Sequence, residues 1–158
     1  MRIICCGNRD CGDDAAALLV AERLRELGID TQIQAGEPLA LIEAWSGADE
    51  VVVVDAAVTG AAVGTMQIWD EQLPSALISA PASTHGLGVA EAIKLAQVLH
   101  RLPLRLRVYG IEGKHFAPGA DVSPEVPQAV EKVVQKIAAE VADGRYNPLR
   151  ALQTRESF

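Results

Sequence analysis

A chain of 158 residues, 49% of them hydrophobic, is long enough for one domain with a sizeable core, and with only 4% aromatics that core is built from Val, Leu, Ile and Ala. The formal net charge of −7 offers no broad positive field, which excludes nucleic acid as the main partner and favours cations or basic peptide segments. No charged-then-apolar leader opens the sequence, no apolar run approaches the ~20 residues of a membrane helix, and three cysteines form no paired framework, so the expectation is a soluble, cytoplasmic protein with no membrane partner.

In chain order, "RIICC" reads as a first strand and "DDAAALLVAERLREL" as an amphipathic helix that stops at Gly28. "TQIQA" is a second strand and "PLALIEAWSG" a short helix. "EVVVVDA" is a continuous apolar run ending in Asp55, the mark of a strand buried on both faces. "GTMQIW" follows as a further strand, suited to an edge. After a long loop, "GVAEAIKLAQVLHRL" reads as helix and "LRLRVYGI" as strand. "SPEVPQAVEKVVQKIAAEVADG" closes the pattern as a long helix with Ser123 as its cap.

This alternation predicts an α/β fold: a three-layer α/β/α sandwich around a twisted, mostly parallel sheet of about five strands, with helices on both faces. Residues 1–143 form the single domain, and residues 144–158 are a polar, Pro-broken tail. In such folds ligands sit outside the carboxyl ends of the strands, near a switch in strand order.

The polar residues converge on that edge. Asp13 and Asp14 follow the first strand, Asp55 ends the central one, and His85 lies in "STHGLGVAEA" just before a helix. Each has a structural reading. Asp13 suits a helix N-cap, worth about 1 kcal/mol. Asp14 suits the positive end of the helix dipole. Asp55 could bond a loop amide, but a charge abutting so apolar a run is costly unless paired, which favours function. A lone loop histidine is more often structural, and His85 gains interest only beside the two acids. His100 reads as a half-buried helix residue, and His115, next to Lys114, as a rim residue.

Asp14, Asp55 and His85 offer two oxygens and one nitrogen, a donor set for a borderline divalent ion such as nickel, zinc, manganese or iron, with positions left open. Without a cation the carboxylates repel, and one tends to take up a proton. The cysteines have no structural-zinc spacing; Cys5 and Cys6 are strand residues facing opposite sides, and the acids beside Cys11 oppose a thiolate there. The turn at Gly7 lacks both glycine-rich phosphate patterns. A receiver domain of the response-regulator type, with Asp55 as phosphoryl acceptor and Lys114 as its lysine, also uses acids at these places. It is disfavoured by the long Gly7–Gly12 insertion, by His85, and by the extra strand "GTMQIW".

The segments "GNRDCGDD", "VVVDAAVTGAAVGTMQIWD", "STHGLGVAEAI" and "LRLRVYGIEGKHFAPGADVSPEVPQAV" resemble, in order and spacing, the [NiFe]-hydrogenase maturation endopeptidases, over nearly the whole chain up to the tail. The resemblance implies a metal-dependent endopeptidase that removes the carboxy-terminal extension of the hydrogenase large-subunit precursor after nickel insertion. It implies that Asp14, Asp55 and His85 contact the metal and carry the catalytic role. The nickel is carried by the substrate and read as a signal; another divalent ion such as zinc or cadmium could occupy the same place. The partner is then the large-subunit precursor, and a monomer suits work on a mobile peptide. A maturation partner that binds the nickel protein without cutting it needs the same residues. Asp13 is expected to orient Asp14 or to cap the helix. The sequence departs from the usual pattern at Cys5, at Arg9-Asp10-Cys11-Gly12, at Ala15 and over Glu112–Phe116, all on the rim, where they bear on which large subunit is recognised.

Overall fold

The computed structural model describes residues 1–70 and 87–145. Among them five strands, β1 (Arg2–Cys6), β2 (Gln32–Gln34), β3 (Glu50–Ala57), β4 (Met66–Asp70) and β5 (Arg105–Glu112), form one sheet in the order β2-β1-β3-β5-β4. The first four neighbours pair in parallel, and β4 alone runs antiparallel on the edge beside β5. The predicted mostly parallel sheet and its edge strand are both present. The antiparallel edge is also foreign to the regularly alternating parallel sheet of a receiver domain.

Four helices among the described residues cover the two faces: α1 (Ala16–Glu26), α2 (Pro38–Trp45), α3 (Leu87–Val98) and α4 (Val126–Glu140). Their apolar spacing explains the layers. In α4 the buried positions Val126, Ala129, Val130, Val133, Val134 and Ile137 recur at helical intervals, and α1 buries Ala16, Ala17, Val20, Ala21 and Leu24 in the same way. These two helices pack with Ile3, Cys5, Val52, Val54, Tyr109 and Ile111 on one face. On the other, α2 and α3 pack with Ile4, Cys6, Val51, Val53 and Val108. Successive side chains of β1 and β3 thus serve opposite cores, which is why both strands read as unbroken apolar runs.

Several element ends differ from the sequence reading. The first helix begins as a tight 3-10 turn at Gly12–Ala15 and becomes α-helical only at Ala16. Its far end is as expected: Gly28 takes φ 77°. His100 lies outside α3, exposed, with φ 54°. The Arg101 amide donates to the Ala96 carbonyl at 2.8 Å, so His100 occupies the left-handed position that terminates a helix rather than packing within one. Ser123 does not cap α4; the flanking residue is Glu125, with no side-chain cap bond, and the Ser123 hydroxyl is used elsewhere. The last helical turn, Val141–Arg145, spans the predicted start of the tail, and residues 146–158 lie outside the described residues.

Two features of the topology position the site. β2 lies on one side of β1 and β3 on the other, so a crevice opens above the carboxyl ends of β1 and β3. Cys5 is level with Val54, which sets those two ends side by side. In addition, β3 and β4 flank β5, so the connection 58–65 crosses over the carboxyl end of β5, a span of about two strand spacings or ~10 Å. That crossing forms an arch at one rim of the crevice.

Candidate active site

Asp14 reaches the crevice from the 3-10 turn that follows β1. The turn starts at Gly7, whose amide donates to the Gln34 carbonyl at 3.1 Å, so the chain leaves the sheet beside β2. The Asn8 side chain accepts the Asp10 amide at 2.9 Å in an Asx turn, and the Asn8 amide donates to Asp14 Oδ2 at 3.0 Å. One carboxylate oxygen of Asp14 is therefore fixed by the backbone of the Gly7-Asn8 pair. A Cβ on Gly7 would lie 2.0 Å from the Asp14 carbonyl oxygen, so no larger residue fits while Asp14 stays in place. Gly7→Ala is expected to cost roughly 1–3 kcal/mol, the usual range for forced overpacking, and to lower the melting temperature. An unchanged melting curve would refute this close approach.

Asp55 lies at the carboxyl end of β3, in step with Val51 and Val53 on the face covered by α2 and α3. It is only partly exposed. Burial pushes its pKa well above the ordinary carboxylate value, and the charge of Asp14 pushes it further, against a hydrogen bond from the Ala56 amide. The two acids thus feel one another across the crevice. A cation between them would relieve both the repulsion and the burial penalty, so this pair is chemically suited to a divalent ion. Among the described residues, no three His, Cys, Asp or Glu side chains gather into a complete metal site.

His85, the third expected member, lies outside the described residues. The helix that follows it is described. A Cβ on Gly88, in the first turn of α3, would lie 1.7 Å from the Gly36 carbonyl oxygen, just beyond β2. The start of α3 therefore abuts the carboxyl end of the sheet, and the helix packs on the same face as Asp55.

Asp13 has a different task from the one expected of it. Its side chain is fully buried and caps no helix. Its carboxylate accepts the Lys114 and His115 amides at 2.8 and 3.0 Å, the Ser123 amide at 2.6 Å and the Ser123 hydroxyl at 2.7 Å. Burial alone would raise its pKa, but these four hydrogen bonds outweigh burial and hold the carboxyl below its ordinary value. The Asp13 amide donates to the His115 carbonyl at 2.7 Å, and Gly119 donates to Asp10 at 2.7 Å. Asp13 therefore docks the loop 113–123 onto the turn that carries Asp14. Lys114 and His115 are exposed above that contact, on the rim as predicted for His115.

A second carboxylate, Glu112, opens the segment Glu112–Phe116 expected on the rim, but it is buried. It ends the apolar strand β5 much as Asp55 ends β3, so the same cost of a charge abutting an apolar run would have flagged it. It holds the arch: Glu112 Oε1 accepts the Thr59 and Gly60 amides at 2.8 and 3.0 Å, and Oε2 accepts the Thr59 hydroxyl at 2.9 Å. Cys5 and Cys6 face opposite cores, as expected, but Cys5 and Ala15 are buried rather than on the rim. Burial pushes the Cys5 thiol up to about 12 and Cys6 well above its ordinary value, so neither supplies a thiolate.

The family model of hydrogenase maturation proteases matches residues 20–140. The hydrogenase 2 maturation protease of Escherichia coli (strain K12) is 27% identical over 103 residues. That match spans 64% of this chain and 62% of the relative's own length. Among solved structures, the hydrogenase maturating endopeptidase HybD from E. coli is 25% identical, with a TM-score of 0.73 over 91% of this chain and 94% of that one. The [NiFe] hydrogenase maturation protease HybD from Thermococcus kodakarensis is 26% identical, with a TM-score of 0.67 over 90% of this chain and 99% of that one.

Proposed function

The chain belongs to the hydrogenase maturation protease family, and from that premise we propose that it is an endopeptidase that removes the carboxy-terminal extension of a [NiFe]-hydrogenase large-subunit precursor once nickel has been inserted. The observation that carries this reading is the approach of Asp14 and Asp55 above the carboxyl ends of β1 and β3. Two carboxylates there can meet a metal presented by another protein, because both remain partly exposed rather than closed in a cage. His85 is the proposed third ligand. It precedes a helix whose first turn abuts the same end of the sheet, which supports the assignment.

In this reading the nickel belongs to the substrate. Asp14 and Asp55, with His85, occupy coordination positions that the precursor leaves open, and the peptide beside the metal is thereby held still against them. A precursor without nickel offers these residues nothing to bind. Zinc or cadmium in the same place would be a substitute for the substrate's ion. The burial of Cys5 and Cys6 favours attack by water over a thioester intermediate. Among the described residues, no helix is long and apolar enough to cross a membrane.

The test is the intact mass of a large-subunit precursor, nickel-loaded and nickel-free, after incubation with this protein. Loss of a carboxy-terminal fragment from the nickel form alone is the expected result. Stable binding of the nickel form with no loss of mass would replace the peptidase by a non-cutting maturation partner. Cleavage of both forms would remove nickel as the signal.

A further inference from the structure

We infer that Glu112 is a positioning residue for peptide recognition: it fixes the arch 58–65 as a rigid, uncharged wall against which the substrate's extended segment, carrying small or apolar side chains, lies beside Asp55. The inference rests on the endopeptidase reading and adds to it the surface that receives the chain.

The topology creates the need for such a residue. The chain leaves β3 two residues after Asp55 and must cross over β5 to reach the far edge of the sheet. A crossing segment has no ladder of its own, so its backbone groups need partners. Glu112 supplies four of them from below, two at each foot of the arch. Besides the three bonds to its carboxylate, its amide donates to the Thr65 carbonyl at 2.9 Å and its carbonyl accepts the Gly64 amide at 2.8 Å. Both feet of the arch are thus tied to one residue that is 2% exposed. Gln67 Nε2 donates to the Thr59 hydroxyl at 2.9 Å, which directs the hydroxyl proton onto Glu112.

What is held in place is a surface and hardly a piece of core. Val58, Thr59, Gly60 and Ala62 are exposed, and Val63 is the arch residue that packs, partly buried, against the α1–α4 side. Taking a carboxylate out of water costs several kcal/mol, a cost that fold stability alone does not require of a surface crossing. The outward face of residues 58–65 carries no charge, whereas the turn after β1 exposes Arg9 and Asp10 and the loop after β5 exposes Lys114 and His115. An uncharged wall suits a polypeptide in extended conformation, its small side chains toward the arch. The charged rim is left to contact the folded part of the partner.

The experiment uses the full chain with Glu112→Ala and Glu112→Gln, read by amide hydrogen exchange and by KM and kcat on the nickel-loaded precursor below the melting temperature. Gln keeps the one oxygen that accepts both backbone amides, and its Nε2 can donate to the Thr59 hydroxyl oxygen, so this variant should match wild type. Glu112→Ala should lose protection of the Thr59 and Gly60 amides by at least ~100-fold while Val53 and Val108 stay protected. Its KM should rise at least ~10-fold with kcat within about threefold, a split that a mere loss of folded enzyme would not produce. Unchanged protection in Glu112→Ala, or lost protection with an unchanged KM, overturns the inference. If wild type binds the precursor without cutting it, the endopeptidase reading fails, and the exchange data with the precursor Kd decide the role of Glu112.

Discussion

Asp55→Asn is expected to abolish processing of the nickel-loaded precursor and, in the same protein, to raise the melting temperature measured in the presence of a chelator. The two effects have one origin. Loss of groups that merely orient a metal ligand already costs about 10–100-fold in activity or affinity, so loss of the ligand oxygen itself should exceed ~100-fold. Asp14→Ala and His85→Ala should fail equally. Retained processing in His85→Ala would remove that residue from the metal set. The stability gain follows from burial and from Asp14, which disfavour the Asp55 carboxylate in the folded state. Because the folded protein holds this proton more tightly than the unfolded chain, the penalty is absent below the ordinary value of 3.8 and grows as pH rises toward the raised folded value. The gain of Asp55→Asn should therefore appear at neutral pH, amount to about 2–4 °C per kcal/mol relieved, and vanish in acid. A lower melting temperature for Asp55→Asn at neutral pH would show that the carboxylate is stabilising, and the active-site strain deduced from its pair with Asp14 would be wrong.

Asp13→Ala is expected to be the most destabilising single change near the site, by roughly 3 kcal/mol, because it strands buried donors at Lys114, His115 and Ser123 together. For a domain of this size that is about 6–12 °C in melting temperature. Asp13→Asn should rescue in part, because its amide oxygen can accept the Lys114 and His115 amides and the Ser123 hydroxyl while its nitrogen faces the Ser123 amide, donor against donor. The sign of the pH dependence is opposite to that of Asp55. With the folded pKa lowered, the contribution of Asp13 is fully present above 3.8 and is lost as pH falls through the folded value. Wild type and Asp13→Ala should thus converge in stability on acidification. Melts of the two proteins across that range decide it; a gap that stays constant would mean that Asp13 acts by shape alone.

Three neighbouring acids, Asp13, Asp14 and Asp55, therefore divide their work by environment. Asp13 is buried among donors and holds a loop. Asp55 is buried near another acid and is held at a cost. Asp14 is presented by the Asn8 amide at the mouth. Because Asp13 fixes one wall and Glu112 the other, the crevice is shaped before any substrate arrives, which reduces the ordering that binding must supply.

The amino-acid sequence by itself determined the layers and the edge of the sheet on which the acids gather. Apolar runs in β1 and β3 reveal strands buried on both faces, helical spacing in α1 and α4 reveals their inner sides, and parallel order puts the ends of β1 and β3 at the same edge. Asp55 was legible because a charge at the end of such a run needs a reason, and Asp14 because it pairs with Asp13 at a helix start beyond the first strand. Neighbours along the chain and periodic burial are local properties, and they are written residue by residue. What Asp13, Ser123 and Glu112 do was decided only by the tertiary structure. Asp13 meets a residue 110 positions away, and a serine three residues before a helix looks like a cap until the distant carboxylate takes its hydroxyl. The arch exists because β5 inserts between β3 and β4, a choice of strand order. A hydrogen bond depends on which groups meet in space, and a single sequence records the groups without recording the meetings.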